Sequence, residues 1–137
     1  MGTLYDSGKG LPRDFRLAAN WLTKAAEQGH ALAQYNLGNL YDAGEGVPRD
    51  FGLAAKWYGK AAVQGQPEAE YNLGVCYEAG EGVPQDLVEA YKWVSLAYSH
   101  GNRYAARYKE SLAKKLTVEQ KARAQQLADA ILSGPAR

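Results

Sequence analysis

Three observations predict an all-α chain built from stacked helix-turn-helix units. A nonapeptide, Asp42-Ala-Gly-Glu-Gly-Val-Pro-Arg-Asp50, returns as Glu78-Ala-Gly-Glu-Gly-Val-Pro-Gln-Asp86 and is anticipated by Asp6-Ser-Gly-Lys-Gly-Leu-Pro-Arg-Asp14. Its first glycines (Gly8, Gly44, Gly80) and its prolines (Pro12, Pro48, Pro84) stand 36 residues apart throughout. Between the copies, apolar residues recur at helical spacing. A constant period of this size marks units that bury their apolar faces only against their neighbours.

Each position of the nonapeptide has a backbone reason. Gly8, Gly44 and Gly80 suit a helix C-terminus with positive φ, where a side chain would cost energy. The second glycine keeps the connection compact, and the following Val or Leu can plug inward between helices. Proline forbids helix at the residue before it and lets the chain restart at once. Asp14, Asp50 and Asp86 then stand where an N-cap carboxylate accepts backbone amide protons. A phosphate-cradling loop is argued against by Glu45 and Glu81 inside the motif and by the lack of a following Lys-Ser or Lys-Thr.

In chain order, Met1 to Ser7 aligns with Leu37 to Ala43, so the sequence opens in the middle of a helix. Phe15 to Gln28 carries Leu17, Ala18, Trp21, Leu22 and Ala25 at helical spacing and ends at Gly29. This is the second helix, B, of a first unit. The next helix, A, spans about Ala31 to Ala43 with Ala33, Leu37, Gly38 and Tyr41 on its packing side. A glycine inside a helix costs up to about 1 kcal/mol relative to alanine, so Gly38 and its copy Gly74 imply close approach of a partner helix.

Phe51 to Val63 repeats helix B, with Trp57 in place of Trp21; Pro67 opens the following helix A. The third unit begins with Leu87, Ala90, Trp93 and Ala97 and then departs, placing Arg107, Lys109, Glu110 and Ala113 where Tyr71, Leu73, Gly74 and Tyr77 stood. A last segment, Thr117 to Leu132, starts with the capping box Thr117 to Gln120 and ends at Gly134-Pro135. The pattern predicts one domain over 1–137, with a partial unit at 1–30, full units at 31–66 and 67–102 and a terminal unit at 103–137. It predicts about six full helices after the opening stub, and Trp21, Trp57 and Trp93 as a mostly buried, equivalent ladder.

Composition narrows function. The 137 residues are 46% hydrophobic with net charge +1, giving no bulk pull toward nucleic acid or a membrane surface. No apolar run approaches the length of a membrane span. Seven Lys/Arg against Glu110 and Glu119 between Arg103 and Arg123 make a local +5, which leaves −4 elsewhere. Cys76 stands alone, so neither a disulfide framework nor a cysteine metal cluster is expected. His30 and His100 each neighbour a helix-ending glycine, which suggests capping or solvent roles. The serines show neither Ser-x-x-Lys nor Gly-x-Ser-x-Gly, so no catalytic residue, metal or cofactor is assigned.

Read residue by residue, the unit resembles the Sel1-like repeat family, a relative of the tetratricopeptide repeats. The residues that carry the likeness are Ala33, Leu37, Gly38, Tyr41, Gly44, Gly46, Val47, Asp50, Ala54, Trp57, Ala61 and Gly65, with copies from Ala69 to Gly101. Leu116-Thr-Val-Glu-Gln also looks like the closing helix common after such arrays. Some members join the helices of a unit by a cysteine pair, so Cys76 alone suggests the cysteine-poor branch. The resemblance implies a right-handed α/α superhelix with a C-terminal capping helix, acting as a scaffold or adaptor for another protein or peptide. A hydrolase acting on β-lactam or cell-wall material, as assigned to some relatives, is the alternative.

By analogy with the tetratricopeptide fold, the positions that packing leaves free on helix A line a concave face. They are Tyr35, Tyr71 and Arg107; Asn39, Val75 and Ser111; and Asp42, Glu78 and Lys114. Asn36 and Asn72 lie beside them, where their amides can either hold a ligand backbone or bond a neighbouring helix. Together these form the expected peptide-binding surface, since tyrosine offers large contact area at low entropy cost. At the other end, the face of the first helix B lacks part of its expected cover. This predicts either a longer array or self-association through the N-terminal edge.

Overall fold

In the computed structural model, residues 15–133 are described. They form seven α-helices and, among the described residues, no strand: α1 (Phe15–Glu27), α2 (Ala31–Ala43), α3 (Phe51–Ala62), α4 (Pro67–Ala79), α5 (Leu87–Ser99), α6 (Ala105–Ala113) and α7 (Val118–Ser133). This is one helix more than the six expected, because the departed segment after Gly101 still forms a helix of its own before the closing one. The opening stub, the nonapeptide at 6–14, the N-terminal edge through which self-association was expected, and Gly134-Pro135 lie outside the described residues.

The nonapeptide punctuates as its residues require. Gly44 (φ 72°) and Gly80 (φ 73°) end α2 and α4 in the left-handed region, and their amides donate to the carbonyls of Leu40 and Cys76. Asp50 and Asp86 cap α3 and α5, their carboxylates accepting from the amides of Leu53 and Glu89 at 3.0 and 3.1 Å. Val47 and Val83 drop against the core between the helices. At the second glycine, Gly82, a Cβ would lie 2.1 Å from the Phe51 carbonyl oxygen. The loop between α4 and α5 therefore rests on the first turn of α3, one unit earlier. At the far end, Thr117 and Gln120 exchange hydrogen bonds of 2.9 and 3.0 Å, and α7 closes over α5 with Ala124 and Ala128 fully buried.

Within each unit the two helices meet at the helix-interior glycine. A Cβ on Gly38 would stand 2.7 Å from the Tyr58 ring, and one on Gly74 would stand 2.6 Å from Val94 Cγ2 and 3.2 Å from the Ala90 carbonyl oxygen. These approaches bury Leu37, Ala54 and Tyr58 in one unit and Leu73, Ala90 and Val94 in the next.

The tryptophans do not form an equivalent buried ladder. Trp93 is 7% exposed, Trp57 is half-buried between Lys56 and Lys60, and Trp21 is 53% exposed. The cause is the direction in which helix B packs. Trp93 shares a buried cluster with Ala55 and borders the groove beside α3 with Gly59 and Val63, and Trp57 likewise borders a groove with Ala26 and Gly29 at the end of α1. Among the described residues no helix stands in the equivalent place beside Trp21.

The two kinds of helix glycine should respond oppositely to alanine. Gly74→Ala forces a methyl into Val94, and we expect a loss of about 1–2 kcal/mol once the gain in helix propensity is set against the overlap. Gly59→Ala, where a Cβ meets nothing within 4 Å, should instead gain up to about 1 kcal/mol. Urea unfolding of the two variants measures both, and shifts of the same sign would contradict the close-approach account.

Candidate functional site

The face of α2, α4 and α6 that the packing leaves open holds the expected surface residues, and the fold treats them unequally. Asn39 and Asn72 are drawn into the protein. The Tyr58 hydroxyl, from the partner helix α3, donates to Asn39 Oδ1 at 2.6 Å, and Asn72 Nδ2 donates to the same oxygen across the unit boundary at 3.4 Å. Asn72 thus bonds a neighbouring helix, while Asn36 makes no side-chain hydrogen bond among the described residues. Burial, then the charge of Asp42, pushes the Tyr58 hydroxyl well above its ordinary range. The same two causes, with Glu81 added, hold the Cys76 thiol up to about 11, so it stays a neutral, buried group. Tyr35 leans on the Tyr58 ring with centroids 6.1 Å apart, and Val75 is half-buried between these polar positions.

Glu78 is also engaged. The Tyr108 hydroxyl donates to its carboxylate, and Lys115 Nζ pairs with it at 2.5 Å. Burial alone would raise this carboxyl, yet the bonds from Lys115 and Tyr108 and the lysine charge outweigh burial and bring it below the ordinary range. Lys114, expected near the groove, is exposed at the C-terminus of α6, and its neighbour Lys115 makes the ion pair instead.

What remains open is the end of the face. Tyr71, Arg103, Tyr104, Arg107, Tyr108 and Ser111 bound a cavity of about 540 Å³. Its floor is the tilted pair of Tyr71 and Tyr108, ring centroids 5.3 Å apart. Of these six, Tyr71, Arg107 and Ser111 were expected from the repeat register. Tyr108 occupies the register position of Asn72, and Arg103 and Tyr104 stand just before α6 at the register positions of Pro67 and Glu68, which open α4. The departure of the third unit from the pattern was the signal for them.

A second polar feature escaped the sequence reading. Glu70 in α4 is 1% exposed, and His100 Nδ1, at the end of α5, lies 2.8 Å from its carboxylate. His100 is the exposed C-cap of α5, as expected, and its ring also partners this buried acid. His30 caps α2 by position only and is exposed, with no side-chain bond. One unit earlier the same two register positions hold Gln34 and Gln64, whose amides bond each other at 2.9 Å, with Gln34 Nε2 also donating to the Ala26 carbonyl. A neutral joint in one unit becomes a titratable one in the next.

The architecture defines a class: a tetratricopeptide-like solenoid of helix-turn-helix units closed by a C-terminal helix. The chain belongs to the Sel1 repeat family, whose model matches residues 1–30, 31–66 and 67–102. Over 96% of its length it is similar to a protective antigen present in uropathogenic Escherichia coli strains that displays an SLR fold (33% identity, TM-score 0.87), and it spans 29% of that protein. It is also similar to a Sel1 repeat protein from Oxalobacter formigenes (40% identity, TM-score 0.74, covering 79% of this chain and 44% of that one). A third likeness is to cysteine rich protein B of Helicobacter pylori (29% identity, TM-score 0.64, covering 66% and 68%). Among curated proteins, none matches the chain. Sel1 repeat proteins are generally non-enzymatic scaffolds that bind other proteins. No helix among the described residues is long and apolar enough to cross a membrane.

The Glu70–His100 joint yields a pH prediction. Burial, outweighing the bond and charge of His100, raises the Glu70 carboxyl above its ordinary value. A carboxyl raised by folding contributes stability that is full below the unfolded value and is lost as pH rises through the folded one. Glu70→Gln removes that titration, so its stability relative to the parent should improve as pH rises from about 4 toward neutrality. Urea midpoints of both proteins across that range test this, and a constant difference would show that Glu70 titrates as an ordinary acid.

Proposed function

We propose that this chain is an interaction scaffold that takes a segment of a partner protein along the face of α2, α4 and α6, the concave one in the superhelix. The observation that carries this reading is the open cavity at the end of that face, with the Tyr71–Tyr108 pair as its floor. Tyrosine is an economical anchor, since it offers a large rigid surface and a hydrogen-bonding tip while losing only two torsions. Tyr35 and Tyr71 occupy one register position in successive units, so a segment lying across the helices meets the same kind of contact at each step. Asn36 supplies a free amide along that path, whereas Asn39 and Asn72 shape it through their bond to each other and to Tyr58. The reading requires no reaction step: the chain holds a partner and needs no cofactor or metal to do so.

A displayed library of random peptides, selected on the whole chain, tests the proposal. Tyr71→Ala should weaken the selected binders by tenfold or more, as removal of a central aromatic anchor does, about 1.4 kcal/mol or above. Glu45→Ala, in an exposed loop, should change binding by no more than about twofold. Equal losses from both variants would move the binding surface to the loops.

A further inference from the structure

Resting on the proposed concave-face reading, we propose that the α6 end of that face is a subsite for acidic residues: an Asp or Glu of the partner segment sits between Arg103 and Arg107, its neighbouring apolar side chain lying on the Tyr71, Tyr104 and Tyr108 rings. Four observations converge on it. First, Arg103 and Arg107 are exposed and form no ion pair among the described residues, although both border the cavity. Second, Glu78, whose carboxylate bonds Tyr108 beside the cavity, is already held by Lys115, and Glu110 on α6 borders a different pocket with Tyr91, Tyr98 and Lys109. Third, the walls are set by the start of α6. The Tyr108 amide donates to the Tyr104 carbonyl at 3.4 Å, which places these two residues one turn apart with Ser111 beyond them, while Arg103 stands in the turn just before α6 and Arg107 in its first turn. Fourth, Tyr108 is fixed at both ends, its hydroxyl on Glu78 and its ring on Tyr71, which gives a ligand a floor that does not need to be ordered on binding.

The charge is specific to this unit. The position that is Tyr35 and Tyr71 in the earlier units is Arg107 here, and the Pro67 position is Arg103. An arginine fork presents paired donors to a carboxylate, and beside apolar ring faces such bonds are stronger than in open water. A nucleic-acid strand suits this face less well. The cations are gathered at one end, and Asp42 and Glu78 on the same face would repel a phosphate track.

The test uses the whole chain and two sets of probes. One is the displayed random peptide library; the other is a single-stranded RNA 12-mer. Selected peptides should be enriched in Asp or Glu beside an apolar or aromatic residue. Arg107→Gln and Arg103→Gln should each weaken the best peptide about tenfold, Arg107→Lys should weaken it less, and rising salt should weaken it steadily. Circular dichroism of these surface variants should match the parent. Peptides that lose affinity with Tyr71→Ala, yet show no acidic preference and no response to the arginine variants, would overturn the subsite while leaving the concave-face reading standing. Binders indifferent to Tyr71 and to both arginines would overturn both. RNA bound more tightly than any peptide, through the same arginines, would overturn the assignment of a protein partner.

Discussion

Everything in this fold depends on how closely the two helices of a unit can approach. Gly38 and Gly74 have no side chain where Tyr58 and Val94 press in, and a Cβ at either would overlap those side chains. That contact fixes the roll of helix A, and the roll decides which residues are buried and which face outward. With Leu37 and Leu73 turned inward, Tyr35 and Tyr71 must lie on the open side. The surface assigned to the partner is the remainder of a packing solution.

The legible part of the molecule was the part governed by the 36-residue period. Glycine, proline and aspartate positions predicted helix ends and caps, and the helix-interior glycines predicted close approach; the structure shows these at the two described copies of the nonapeptide and at Gly38 and Gly74. Less legible was anything decided between units. Trp21, Trp57 and Trp93 look identical in sequence, but Trp57 and Trp93 lie beside the helix B of the unit before and Trp21 has no such neighbour among the described residues, so exposure runs from 53% at Trp21 to 7% at Trp93. Neither Glu70 nor His100 looks unusual alone; only placing residue 70 over residue 34 and residue 100 over residue 64 reveals that a pair of amides has been replaced by an acid and an imidazole. The site was half visible for the same reason. Register pointed to Tyr71, Arg107 and Ser111, whereas Tyr104 and Tyr108 fell where the pattern had broken down.

That breakdown has two roles. The terminal unit no longer needs to receive another repeat on its far side, since α7 covers α5 there. Freed from the repeat pattern, α6 carries charge and aromatic rings that an internal helix A would have given up to packing. The end of the array is thus both its closure and its most distinctive surface.

The seat of Gly82 on the Phe51 carbonyl has a mechanical meaning. Two backbones already touch there, so squeezing successive units together at that edge meets a hard stop, whereas pulling them apart surrenders only weak dispersion contacts. The joint is stiff in one sense and compliant in the other.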